Sequence, residues 1–192
     1  MESNLLGVAL SDMGCQTIIP LPISITDEFN PMADFDISAT EICVGDEVTF
    51  SNLSQYGESF TWEISDPNTG STFESTEAEP ILQFDTFGIY DVSLYVEGCG
   101  ITEDTQTSTA LLQIYPNPTV EIQVMSDPMI CVDDLVVLSG ISSGGSGGIS
   151  FTWEGAFVTD SNAASVSITP TAVGTYTYTL TAIDANGCEA VD

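Results

Sequence analysis

No lysine, arginine or histidine occurs among the 192 residues, while Asp and Glu number 29, so the formal charge is −29. Each absence removes a class of function. Without histidine there is no Ser-His-Asp or Cys-His nucleophile and no imidazole metal ligand. Without lysine there is no Schiff base and no phosphate-cradling lysine. A uniformly negative chain is repelled by nucleic-acid backbones and anionic lipid, so neither is an expected partner. No apolar run approaches the roughly 18 residues of a membrane-spanning helix, and membrane insertion is not expected. Met1 is followed by Glu2, not by a basic start, so the chain reads as either processed or an excerpt of something longer. What these absences leave is carboxylate chemistry, cation binding, and structural or adhesive work.

Charged residues make up only 15% of the chain, and high net charge often accompanies disorder. Here the hydrophobic share of 43%, with nine Phe, six Tyr and two Trp, supplies core material. At roughly 100–150 residues per domain the length allows one large or two small domains.

An internal repeat organises the sequence. Ser59-Phe60-Thr61-Trp62-Glu63 recurs as Ser150-Phe151-Thr152-Trp153-Glu154. Asn30-Pro31 recurs as Asn117-Pro118, Cys43 as Cys131 and Cys99 as Cys188. Gly88-Ile89-Tyr90-Asp91-Val92-Ser93-Leu94 matches Gly174-Thr175-Tyr176-Thr177-Tyr178-Thr179-Leu180. Gly7 to Cys15 resembles Asp91 to Cys99, so residues 1–29 read as the C-terminal strands of a preceding repeat or a linker. Full units are expected at 30–116 and 117–192, the second lacking most of its last strand.

Within the units apolar residues alternate with polar ones, as in Tyr90, Val92, Leu94 and Val96, and again in Tyr176, Tyr178 and Leu180. A period of two in Thr-, Val- and Tyr-rich segments marks half-buried strands. Asp66-Pro67-Asn68, the Gly-rich run 143–148 and Asn186-Gly187 supply turns between them. An all-β chain of sandwiches is predicted, with Trp62 and Trp153 buried between sheets and Tyr90 and Tyr176 as further structural core.

Of the five cysteines, repeat alignment pairs Cys43 with Cys99 and Cys131 with Cys188. Such a loop of about 55 residues is worth about 4 kcal/mol in the chain-entropy model. Cys15 is left over, either to pair within a preceding unit or to remain a reactive thiol. Paired cysteines imply a secreted, extracellular setting.

Cys43-Val44-Gly45-Asp46-Glu47-Val48-Thr49-Phe50-Ser51-Asn52, Phe60-Thr61-Trp62-Glu63 and Phe87-Gly88-Ile89-Tyr90-Asp91-Val92-Ser93-Leu94 together resemble the PKD domain, an immunoglobulin-like β-sandwich. The second unit resembles PKD-like units of very large surface proteins in the Bacteroidetes, such as gliding-motility adhesins. The family usually follows its Trp with an Asp-Phe-Gly-Asp-Gly type turn, whereas this chain has Glu63-Ile64-Ser65-Asp66-Pro67 and Glu154-Gly155-Ala156-Phe157. The resemblance implies an extracellular spacer, adhesion or ligand-binding role.

No enzyme activity is expected. Asp85-Thr86-Phe87-Gly88 is an Asp-Thr-Gly loop interrupted by Phe87. No cofactor is expected either. Calcium is the candidate ion, at Asp27, Glu28, Asn30 and Asp34, weighed against a plain solvated acidic surface. Expected partners are neighbouring repeats of the same chain, other copies in a surface filament, and a cell-surface protein or glycan. The leading expectation is a rod-like tandem-repeat segment of a bacterial surface adhesin or filament. The alternative is a carbohydrate- or protein-binding accessory module of a secreted enzyme.

Like charges without countercharges repel over a Debye length of about 8 Å at physiological salt. The melting temperature is therefore expected to rise from low to marine NaCl concentrations. A calorimetric scan giving equal values at both would remove repulsion as a determinant of stability.

Overall fold

The computed structural model describes residues 8–10, 16–18, 30–98, 103–126 and 130–192. Every regular element among them is a strand: β1 (Val8–Leu10), β2 (Gln16–Ile18), β3 (Phe35–Ile37), β4 (Glu41–Cys43), β5 (Glu47–Asn52), β6 (Ser59–Ser65), β7 (Thr72–Ser75) and β8 (Ile81–Gln83). Then follow β9 (Gly88–Glu97), β10 (Glu103–Tyr115), β11 (Pro118–Val124), β12 (Val136–Gly144), β13 (Ser150–Gly155), β14 (Ser165–Ile168), β15 (Tyr178–Ile183) and β16 (Glu189–Val191). β1 and β2 form an antiparallel pair with Ala9 opposite Thr17.

Two sheets make the first sandwich, one ordered β4-β10-β9-β6-β7 and the other β3-β5-β8. Alternation drives it. Along β9, Tyr90, Val92, Leu94 and Val96 are all fully buried, while the residues between them face outward. They meet Val48 and Phe50 of β5, Trp62 and Ile64 of β6, and Leu112 and Ile114 of β10 in one apolar cluster. Trp62 lies between the sheets, with Phe35 and Phe50 edge-on at 5.4 and 5.5 Å, and its indole N–H donates to the Glu77 carbonyl at 3.1 Å. The chain changes sheets between β3 and β4. β4 then runs parallel to the end of β10, with Cys43 beside Tyr115. This is an immunoglobulin-like arrangement.

The second sandwich sets β11-β12-β14 against β13-β15-β16. Its cluster is smaller: Val136, Leu138, Trp153, Val166, Ile168 and Leu180. Trp153 repeats the role of Trp62, its N–H donating to the Ala163 carbonyl at 2.9 Å. β16 pairs with β15 over three residues, and Asp192 extends the ladder through two backbone bonds to Leu180.

Both units hold a tyrosine corner, a phenol bonded back to the chain before the strand it precedes or begins. The Tyr90 hydroxyl donates to the Thr86 carbonyl at 3.0 Å, and that of Tyr176 to the Ala172 carbonyl at 2.8 Å. Tyr90 is in the core, whereas Tyr176 is only half-buried and rests edge-on against Phe157 at 5.3 Å. The reason is local, since β15 begins at Tyr178 and Tyr176 lies ahead of the sheet. Asp85 and Thr86 belong to the first corner, the Thr86 hydroxyl donating to the Asp85 carboxylate at 3.1 Å.

Removing the Tyr90 hydroxyl takes the donor from a part-buried carbonyl, so Tyr90→Phe is expected to lower unfolding stability by about 1 kcal/mol. Tyr176→Phe should cost less, because water replaces the lost donor. Urea titrations followed by tryptophan fluorescence compare the two; equal losses would show that burial does not set the cost.

Candidate functional site

The site that the fold assembles most deliberately is the junction between the two sandwiches. β10 ends at Tyr115, Pro116 and Asn117 follow, and β11 begins at Pro118. Proline has a fixed φ and no N–H, so two prolines around a single Asn leave little freedom here.

On the first side stands the turn Cys43-Val44-Gly45-Asp46. The Cys43 N–H donates to the Asp46 carboxylate at 2.9 Å, and the Asp46 N–H returns to the Cys43 carbonyl at 3.1 Å. Gly45 has φ +94°, a left-handed value that glycine adopts without strain. Its N–H donates to the Phe84 carbonyl at 2.9 Å. The Val44 N–H donates to the Tyr115 carbonyl at 2.9 Å, and the Asn117 side-chain amide to the Val44 carbonyl at 2.9 Å. The turn is thus laced to the linker itself.

On the second side stands the hairpin between β15 and β16, Asp184-Ala185-Asn186-Gly187-Cys188. One oxygen of the Asp184 carboxylate accepts the N–H groups of Asn186 and Cys188, both at 2.9 Å. The other accepts the Ser146 N–H at 2.7 Å, and the Ala185 N–H donates to the Ser146 carbonyl at 3.0 Å. The Gly-rich β12–β13 loop therefore holds the hairpin from the side. Gly145, with φ +67°, admits this approach: a Cβ there would lie 3.1 Å from both the Asp184 carboxylate and Pro118. Burial alone would push the Asp184 carboxyl up, but N–H groups of Ser146, Cys188, Asn186 and Gly187 outweigh it and hold it below the ordinary value of 3.8.

Cys43 and Cys188 are joined by a disulfide with Cα atoms 5.5 Å apart. In sequence it spans 145 residues; in space it is a clasp across a two-residue linker. A cleft of about 210 Å³ lies beside it, bordered by Asp46, Asn117 and Glu189.

This bridge corrects the pairing expected from the repeat. Cys43 is bonded to Cys188, not to Cys99, and Cys131 is an exposed free thiol, not the partner of Cys188. The reason is strand geometry. Cys43 lies beside Tyr115 at one end of β10, while Glu97 and Glu103 mark the other end. At about 3.3 Å per residue those ends are roughly 40 Å apart, and a disulfide needs Cα atoms within about 7 Å. In the second sandwich β12 runs from Val136, near the Cys131 turn, to Gly144, near the Cys188 hairpin. Cys15 and Cys99 lie outside the described residues.

The calcium candidates are not brought together as a set. Asp27 and Glu28 lie outside the described residues. Asn30 is exposed, and the Asp34 carboxylate accepts the Phe35 N–H at 2.9 Å. Among the described residues no group of three or more acidic or cysteine side chains converges to hold a metal. The sequence marks Asn117 only as part of a repeated Asn-Pro pair and Asn186-Gly187 only as a turn, and it does not reveal the work of Asn117 and Asp184 at the junction. The Asx-turn pattern Asp-x-Asn-Gly was the available signal.

A carboxyl held below its ordinary value stabilises the fold above that value and loses the effect as pH falls through the lowered one, because the unfolded chain then binds the extra proton. Asp184→Ala is expected to abolish this part of acid destabilisation and to speed reduction of the Cys43–Cys188 bond by dithiothreitol. Unchanged reduction kinetics would show that the hairpin does not depend on this carboxylate.

The sequence matches no protein-family model and no curated protein. Several solved structures are similar. Carbohydrate-binding modules from the β-sandwich superfamily align at 15% identity and TM-score 0.41, covering 81% of this chain and 56% of that one. A 1.5-MDa bacterial ice-binding adhesin aligns at 14% identity and TM-score 0.37, covering 86% and 63%. The I67–I69 fragment of the titin I-band aligns at 14% and TM-score 0.41, covering 86% and 64%. The chain thus spans about three fifths of the length of each. Likeness at this level fixes neither family nor function.

Proposed function

We propose that the chain is a non-catalytic, extracellular structural and adhesive segment: rod-like tandem PKD-type repeats from a large bacterial cell-surface adhesin or surface filament. The units run 30–116 and 117–192, with β1 and β2 the last hairpin of a preceding repeat. The observation that carries the reading is the Cys43–Cys188 bond, which joins one sandwich to the next instead of stapling either one internally. A covalent clasp beside a Pro-Asn-Pro linker resists bending, which suits a part that transmits force or holds a binding surface away from a cell. A disulfide in this position also favours an oxidising, extracellular compartment. Asp46, Asp184 and Asp34 spend their carboxylates on turns and strand register, which supports a structural reading. The acidic surface keeps such a segment soluble in salty water.

Small-angle X-ray scattering on the oxidised chain and on Cys188→Ser tests this. A single extended particle is expected for the first, and a broader distribution of interparticle distances, with unchanged tryptophan burial, for the second. Equal profiles would show that the bond does not stiffen the junction, and a compact oxidised particle would remove the rod.

A further inference from the structure

The turn that carries Cys43 exists twice. Around Cys131, the Cys131 N–H donates to the Asp134 carboxylate at 2.7 Å, and the Asp134 N–H returns to the Cys131 carbonyl at 3.2 Å. Asp133 occupies the place of Gly45 with φ +69°, and its N–H donates to the Pro170 carbonyl at 2.8 Å, as that of Gly45 does to Phe84. One difference is the sulfur: Cys43 is bonded to Cys188, and Cys131 is free and exposed. A second is the flanking surface. Ile42 is 8% exposed and Val44 is half-buried, both on the core of the first sandwich, where Ile130 is 45% and Val132 41% exposed. The equivalent cysteine, in the same kind of turn and within the same molecule, is joined to the hairpin of the next sandwich.

We propose that Cys131 is the open half of a second inter-module disulfide, its partner the Cys188-type hairpin cysteine of another copy of this module placed after Cys131 as the second sandwich is placed after Cys43. This rests on the tandem reading above. Bond formation needs a small-molecule disulfide as oxidant. With oxidised glutathione, the hairpin thiolate first displaces one glutathione thiolate. The Cys131 thiolate then attacks the hairpin sulfur, forming the Cys131–Cys188 bond and expelling the second glutathione thiolate. Two protein thiols are oxidised, one glutathione disulfide is reduced, and two protons pass to the thiols or solvent.

The test is a chain lengthened by one period, in which residues 100–188 are duplicated in place, so that a second Cys188 follows the first Cys131. It is refolded in a glutathione redox buffer, alkylated, and cut with Glu- and Asp-specific proteases, since trypsin has no site. The expected result is a bridge between the first Cys131 and the second Cys188 beside the original Cys43 bridge, lost on Cys131→Ser. If the second Cys188 stays alkylated, or is shared evenly with Cys15 and Cys99 while Cys43 keeps its bridge, the proposal is overturned. Should the lengthened chain fold poorly, a form with Cys43→Ser and the first Cys188→Ser takes its place. Buried tryptophan fluorescence establishes that this form folds. The new bridge must still form in it, and its absence overturns the proposal. A negative result leaves the scattering comparison at the existing junction untouched, so failure here and failure of the rod are separable.

Discussion

Every ionised side chain in this protein is negative, and attraction between charged side chains is therefore unavailable to it. Cohesion has to come from apolar burial and from hydrogen bonds that carboxylates can accept. The structure shows both. Strand alternation delivers two apolar clusters, and backbone N–H groups take the place of cations. Asp46, Asp134 and Asp184 accept from the turns they close, Asp104 accepts from Ala33, and Asp192 accepts from Ile122. Asp66 follows the same logic: N–H and hydroxyl donors of Asn68 and Thr69 hold its carboxyl below the ordinary value despite burial. In a chain of this composition an ordered aspartate is a turn former and a strand clamp.

That habit explains why the junction is well specified with so few residues. Asp46 shapes the turn that presents Cys43, Asp184 shapes the hairpin that presents Cys188, and Asn117 ties the first to the linker. Two side-chain carboxylates set the positions of two sulfurs. The turn itself is present in both sandwiches, at Cys43–Asp46 and at Cys131–Asp134.

A repeat states which residues are equivalent. It does not state which residues touch. Cys43 and Cys131 are equivalent, and so in sequence are Cys99 and Cys188, yet the bond runs from the first member of one unit to the last member of the next. Strand length decides this, because Cys43 stands at the pole of its sandwich facing the following unit and Cys188 at the pole of its own facing the preceding one.

Unlike the hydroxyl bonds of the two tyrosine corners, the strands, the two buried tryptophans and the core place of Tyr90 were legible in the order of residues, because a period of two and local turn chemistry act over a few positions and leave their mark in sequence. The same holds for Asn186-Gly187, whose turn needs only a left-handed glycine, found here with φ +87°. The half-burial of Tyr176, the work of Asn117 and Asp184, and above all the partner of Cys43 were decided by the tertiary structure. Those depend on which ends of long strands come together, a property fixed only when two sheets close on a core and a two-residue linker brings opposite poles of successive sandwiches within reach of a sulfur–sulfur bond.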